Sequence, residues 1–338
     1  MRIMTMKDIA KELGISVATV SRALNNSDRI SAECRARVQA YAREHNFYPD
    51  AVASSLRQNA GRPQKVIGVI MPEIVHYYFS SVLQGIEEEA TARGYEVVVA
   101  RSKERYENEA RICENFLRHR VGGIIVSQAK DTVHYAHFQK LLDAGVPIVF
   151  FDRICTGVRA SMVVVDDYNG AFNAVSYLIE TGCRHIAFYG SPMQLEISKN
   201  RFNGYKDALL KAGISYDENL CKTCDNRSDA EMLTPEMMKT HKEIDAFFCV
   251  NDDTALGVLY SVKRLGLAVP DDISVCGFTN DYHAKACDPM LTTVEQRGVT
   301  VGEEAANILI GHIEGTIAHD KVEKKIVRTR LIVRGTTR

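Results

Sequence analysis

From residue 66 to about 276 the chain alternates between two apolar rhythms. Short, nearly continuous apolar runs at 66–71, 95–100, 123–126 and 147–151 have the length and the Val/Ile content of buried strands. Between them apolar residues recur every three or four positions, as Val82, Leu83, Ile86 and Ala90 do in a stretch ending at Gly94, and again near 107–119 and 134–144. That spacing predicts amphipathic helices. The rhythm restarts with strands at 162–165, 185–189, 246–250 and 273–276, separated by helices to Thr181, from about 200 to 212, and to Leu265. Alternating strand–helix units predict α/β architecture, here two doubly wound lobes of parallel sheet covered on both faces.

The first sixty residues follow only the helical rhythm. Ile9, Ala10 and Leu13 share one face of a short helix, and Gly14 supplies a turn that tolerates left-handed backbone. Ser16 is placed to cap a second helix, 17–24, with Val20, Ala23 and Leu24 inward. A third helix is expected from an N-cap at Ser31 through Val38, Ala40 and Tyr41 to about His45, closing a small core. Two short helices across a glycine turn form a helix-turn-helix. The outward face of the second helix is small at Val17 and Ala18, with Arg22 beyond, and such a face fits a major groove. On pattern alone an ordinary helical hairpin remains the other reading.

Charge separates these two regions. The whole chain is nearly neutral at −1, but residues 1–65 hold 11 Lys/Arg against 6 Asp/Glu, and the rest holds 31 against 37. A basic head on an acidic body is expected when only the head meets phosphate. A length of 338 residues suits one small domain and one larger two-lobed one. No apolar run approaches a membrane span, and the start lacks the apolar core of a secretory signal. The nine cysteines are scattered and odd in number, and the lone pair Cys221/Cys224 has no second pair to complete a zinc site. A cytoplasmic protein without metal or cofactor is expected.

At this point a resemblance becomes specific. The string Lys7-Asp8-Ile9-Ala10, then Gly14-Ile15-Ser16-Val17-Ala18-Thr19-Val20-Ser21-Arg22-Ala23-Leu24-Asn25, resembles the amino-terminal signature of the LacI/GalR family of lactose-repressor-type regulators. The segment from Asn46 to Leu56 is similar to that family's hinge helix, with Asp50 where members more often carry Asn. The resemblance covers essentially the whole chain. It implies a helix-turn-helix head at 1–48, a hinge and linker at 49–65, and a type I periplasmic-binding-protein-like sensor at 66–338. Three crossings between lobes are implied, giving lobe 1 as 66–161 plus 292–316 and lobe 2 as 162–290 plus 326–334. It further implies a homodimer on a near-palindromic operator with a pyrimidine–purine centre, contacted by Ser16, Val17, Ala18, Thr19, Ser21, Arg22, Asn25, Ala53 and Leu56. In this family the leucine matched by Leu56 enters the minor groove.

Enzyme signatures are absent from the sequence: no phosphate loop, no Gly-x-Ser-x-Gly, no His-Glu-x-x-His. An open parallel sheet binds ligands at the carboxyl ends of its strands, which places a pocket between the lobes. Strand ends and matching family positions nominate Tyr78, Phe79, Arg101, Asn169, Arg201, Asn251 and Thr279 as effector contacts. Asp252 is expected as a supporting anchor or a helix cap. The family often has Gly-Tyr-Asp where this chain has Gly277-Phe278-Thr279, so an acceptor for sugar hydroxyls is missing there. With Arg101, Arg201 and Arg227 near strand ends, a sugar acid or sugar phosphate stands beside a neutral sugar as the expected effector. A free-standing sugar-binding protein would carry no basic head, and an enzyme with a helix-turn-helix appendage would need an acid–base or nucleophile cluster.

Overall fold

The computed structural model describes residues 4–24, 26–45, 47 and 65–338, and the chain divides into two compact units, Met1–Gln64 and Lys65–Arg338. The expected hinge, with Ala53 and Leu56, and the expected DNA contact Asn25 lie outside the described residues.

In the first unit three helices, Met6–Leu13, Val17–Leu24 and Ala32–Glu44, surround a core of Ile9, Ala10, Val20, Ala23, Val38 and Ala42. Each start is capped by a hydroxyl. Thr5 forms a reciprocal box with Asp8, Ser16 Oγ accepts from the Thr19 amide at 3.1 Å, and Ser31 Oγ accepts from the Cys34 amide at 3.2 Å. Gly14 ends the first helix in the left-handed region at φ 66°. The expected core position Ala40 is exposed, because Ala42 falls one turn beyond Val38 on the inward face.

The second unit holds two six-stranded sheets. The first contains β1 (Val66–Met71), β2 (Glu96–Arg101), β3 (Gly123–Val126), β4 (Ile148–Phe151), β5 (Ser161–Val165) and β11 (Lys324–Val327), in the order β11-β5-β4-β3-β1-β2. The second contains β6 (Ile186–Gly190), β7 (Cys221–Thr223), β8 (Ala246–Cys249), β9 (Ser274–Thr279), β10 (Thr292–Glu295) and β12 (Arg330–Ile332), in the order β12-β10-β9-β8-β6-β7. All pairings are parallel except β10 with β12. Each sheet is covered on both faces by separate apolar clusters.

The crossings differ from those expected. Residues 161–165 pair with β4 and β11 in the first sheet, not the second, and 292–295 pair with β9 in the second sheet, not the first. Residues 324–327 close the first sheet, and only 330–332 join the second. The chain therefore crosses after each of these strands rather than before it. An apolar run marks a buried strand but carries no sign of which sheet accepts it. Helix Gly298–Glu314 does return to the first lobe, against helix Tyr77–Ala92. A Cβ on Gly302 would overlap the Val82 carbonyl, and one on Gly85 the Val299 carbonyl, so these helices touch backbone to backbone.

Among the described residues no helix is long and apolar enough to cross a membrane. All nine cysteines are free thiols.

Candidate functional site

Two surfaces stand out. On the head, Ser16, Val17, Ala18 and Arg22 are exposed, while Thr19 and Ser21 are partly so. The Val17–Leu24 helix thus keeps Val20 and Ala23 for the core and leaves its opposite face uncommitted.

In the second unit a cavity of about 120 Å³ lies between the lobes at the carboxyl ends of the strands. Its centre is Arg201, which is 4% exposed. Arg201 Nε donates to Asp167 Oδ1 at 2.8 Å, Nη2 lies 2.7 Å from the same oxygen, and Nη1 donates to the Val250 carbonyl. Its guanidinium carbon sits 3.8 Å from the Phe278 ring centre, a cation–π contact in a water-poor site. Five N–H donors less three committed ones leave two for a ligand. Burial pushes the Asp167 carboxyl up to about 6 even though Arg201 pulls it down, and the Asp152 charge adds to the rise.

Tyr78 and Phe79 form the facing wall from the first lobe, both buried. The Tyr78 hydroxyl is buried with no hydrogen-bond partner, and burial, then Asp152 and Asp167, hold it well above the ordinary tyrosine range. A buried hydroxyl left unpaired costs roughly 1–3 kcal/mol, so it is poised to bond something that enters. Six carboxylates line the cavity (Glu104, Asp152, Asp225, Asp252, Asp253 and Asp281) against the cations Lys130, Arg153 and Arg201. Arg153 grips both oxygens of Glu104 at 2.8 and 2.7 Å. Asp152, directly after β4, is left-handed at φ 57°, and burial raises its pKa. Thr279 lines the cavity at φ 138°, a costly conformation for a β-branched residue, and donates to Gln296 at 3.1 Å.

Residues 5–50 match the family description of bacterial regulatory proteins, lacI family, and residues 175–337 match the periplasmic binding protein-like domain. The HTH-type transcriptional repressor CytR of Escherichia coli strain K12 is 31% identical over 336 residues, covering 99% of this chain and 96% of CytR. The chain belongs to the lacI family of bacterial regulatory proteins. As a lacI-family regulator it binds DNA and controls transcription in response to a small molecule. Solved relatives agree in fold. The Lac repressor dimer bound to operator and the anti-inducer ONPF superposes with a TM-score of 0.84 at 24% identity over 99% of both chains. A complex of the regulator CelR with cellobiose gives 0.75 at 26% identity, over 98% of this chain and 99% of CelR.

Of the seven nominated positions, Tyr78, Phe79, Arg201, Asn251 and Thr279 line the cavity of this lacI-family sensor. Two do not. Arg101 ends the edge strand β2, pairs with Glu73 at 3.0 Å and is partly in solvent. Asn169 is exposed and donates back to the Asp166 carboxylate at 2.9 and 3.0 Å. Asn251 is already engaged: its Oδ1 caps helix Asp252–Arg264 through the Thr254 amide, and its Nδ2 donates to the Asp225 carbonyl. Asp252 is the anchor expected of it, accepting from the Thr293 hydroxyl and the Asp281 amide. Burial raises it to about 7 against the pull of Thr293. Arg227 pairs with Glu231 one turn along its helix and does not line the cavity. The acid-rich lining weighs against the sugar acid or sugar phosphate expected from those arginines. Asp152, Glu104 and Asp225 were not nominated, although Asp152 directly follows an anticipated strand.

Proposed function

We propose that this regulator binds a near-palindromic operator as a homodimer and that an uncharged, hydroxyl-rich effector in the interlobe cavity sets its operator affinity. The observation that carries the effector class is the pairing of an orphaned Tyr78 hydroxyl and two uncommitted Arg201 donors with a carboxylate-rich wall. Hydroxyls both donate and accept, so they satisfy carboxylates and guanidinium together, whereas a phosphate would face net negative charge. The cellobiose bound to CelR is of this class. Tyr78, Phe79, Asp152, Arg201 and Thr279 are the proposed contacts.

On the head, Ser16, Val17, Ala18, Thr19, Ser21 and Arg22, with Asn25, Ala53 and Leu56 of the segments outside the described residues, are the proposed DNA contacts. One small head buries too little surface for strong specificity, which favours a two-fold dimer on two-fold DNA. Cytoplasmic location and binding without turnover complete the reading, supported by relatives that are repressors.

A thermal-shift panel of neutral sugars, nucleosides, uronates and phosphosugars tests the effector class. A ligand at a hundred times its Kd stabilises the native state by about 2.7 kcal/mol. A neutral polyol should raise Tm while its phosphate ester does not; selective stabilisation by phosphosugars would overturn the reading.

A further inference from the structure

Lys130 and Asp225 come from opposite lobes, on the loops that follow β3 and β7, and both line the cavity. Their Nζ–Oδ2 distance is 2.7 Å, and the side chains are 32% and 17% exposed. Among the described residues this is the ion pair that joins the two lobes.

Both ends are held before they meet. The Lys130 amide donates to Glu104 at 2.9 Å, and its neighbour Ala129 donates to the buried Glu109 carboxylate at 2.7 Å. Glu109 also receives the Thr132 hydroxyl at 2.7 Å and contacts His137 Nε2 at 3.0 Å, so the whole loop is fixed to its lobe. Across the cleft, the Asp225 carbonyl accepts from Asn251, whose other end caps helix Asp252–Arg264. The preceding Cys224 amide donates to Gly190 at 2.8 Å. Backbones fixed in this way hold the two charges within reach, so pairing costs side-chain freedom but no ordering of the loops.

We propose that Lys130–Asp225 is a latch that favours the closed arrangement of the lobes and sets how far they open. Closure stacks the lining carboxylates against one another, and Lys130 offsets part of that repulsion only while the lobes are together. Opening by more than the reach of one lysine breaks the pair and leaves Asp225 among the other acids. The latch thus fixes the resting population of closed sensor, on which ligand binding then acts as a population shift. Its effect on ligand affinity rests on the cavity being the effector site. The latch itself does not, and it is tested without ligand.

The test is hydrogen exchange on the full ligand-free chain, comparing wild type with Lys130→Met, Asp225→Asn and the double variant. Each single variant should speed exchange at both 127–132 and 222–226 by roughly fivefold, the ratio expected for a pair worth about 1 kcal/mol. The double variant should exchange no faster than either single one, because one interaction is lost in all three. Exchange in β1 and β6 should stay at wild-type rates. Acceleration confined to the mutated loop, multiplied in the double variant, or spread into the core strands would overturn the latch.

Discussion

Arg22 and Arg201 are the same side chain in opposite circumstances. Arg22 stands exposed on the outer face of an eight-residue helix, while Arg201 is buried with a carboxylate, a carbonyl and an aromatic ring already around it. The head leaves this face exposed, as the proposed contact with DNA requires. In the cavity the protein itself supplies most of the partners of Arg201. One surface gains by being uncommitted, the other by being pre-organised.

The largest break in that contrast should come from Arg201→Ala. It strands the buried Asp167 carboxylate, and removing one partner of a buried pair costs about 3–5 kcal/mol. Chemical denaturation should show that loss without any ligand present; an unchanged midpoint would mean the pair is not structural. Arg201→Ala is for that reason a poor probe of ligand contact.

Asp252 sharpens the difference in a second way. Its folded pKa of about 7 lies above the value near 3.9 of an unfolded aspartate, so the folded state holds an extra proton between those limits. Stability from this group is complete below about pH 4 and is lost as pH rises through about 7. The stability difference between wild type and Asp252→Asn should therefore shift against wild type across that window. Parallel pH profiles of Tm would show that Asp252 does not titrate with folding.

Arg22→Ala should leave stability within about 0.5 kcal/mol, as for an exposed surface site. It should cost about 1–3 kcal/mol of discrimination at one base pair of each half-site. Binding weakened equally on every sequence would mark Arg22 as a phosphate contact instead.

Tyr78→Phe removes a hydroxyl that the protein leaves unpaired, so stability should hold or rise by up to about 1 kcal/mol while effector affinity falls. Equal affinity, read by titrating the compound that the thermal-shift panel selects, would take the hydroxyl out of the site. Arg101→Ala should do least. Its pair with Glu73 is partly exposed and worth about 0–1 kcal/mol, and the effector response should be untouched.

These cases show where the sequence was readable. In the head, the caps at Ser16 and Ser31, the Gly14 turn and most of the core were legible because each is set by its own short helix. The Thr5 cap and the inward Ala42 in place of Ala40 were not. Strand ends, read together with the family resemblance, nominated Tyr78, Phe79, Arg201, Asn251 and Thr279, all of which line the interlobe cavity. Arg101 misled because sheet order, which makes β2 an edge, is not written in local pattern. Asn169 misled by helical phase: Asp167, two residues earlier and about 200° around the helix, meets Arg201 instead. Left-handed backbone at Glu104 and Asp152 aims acids that no spacing rule singles out.

The interleaved crossings have a consequence for biogenesis. The first sheet opens with β1 just past the head and is not complete until β11, and the helix that caps its core, Gly298–Glu314, is also made late. During translation the head can fold as soon as it clears the ribosome, because its core is drawn from one short stretch, Ile9 to Ala42. The sensor must wait, apolar strands exposed, for nearly the whole chain. Chain termination before β11 would leave a folded head attached to a body unable to assemble its effector cavity.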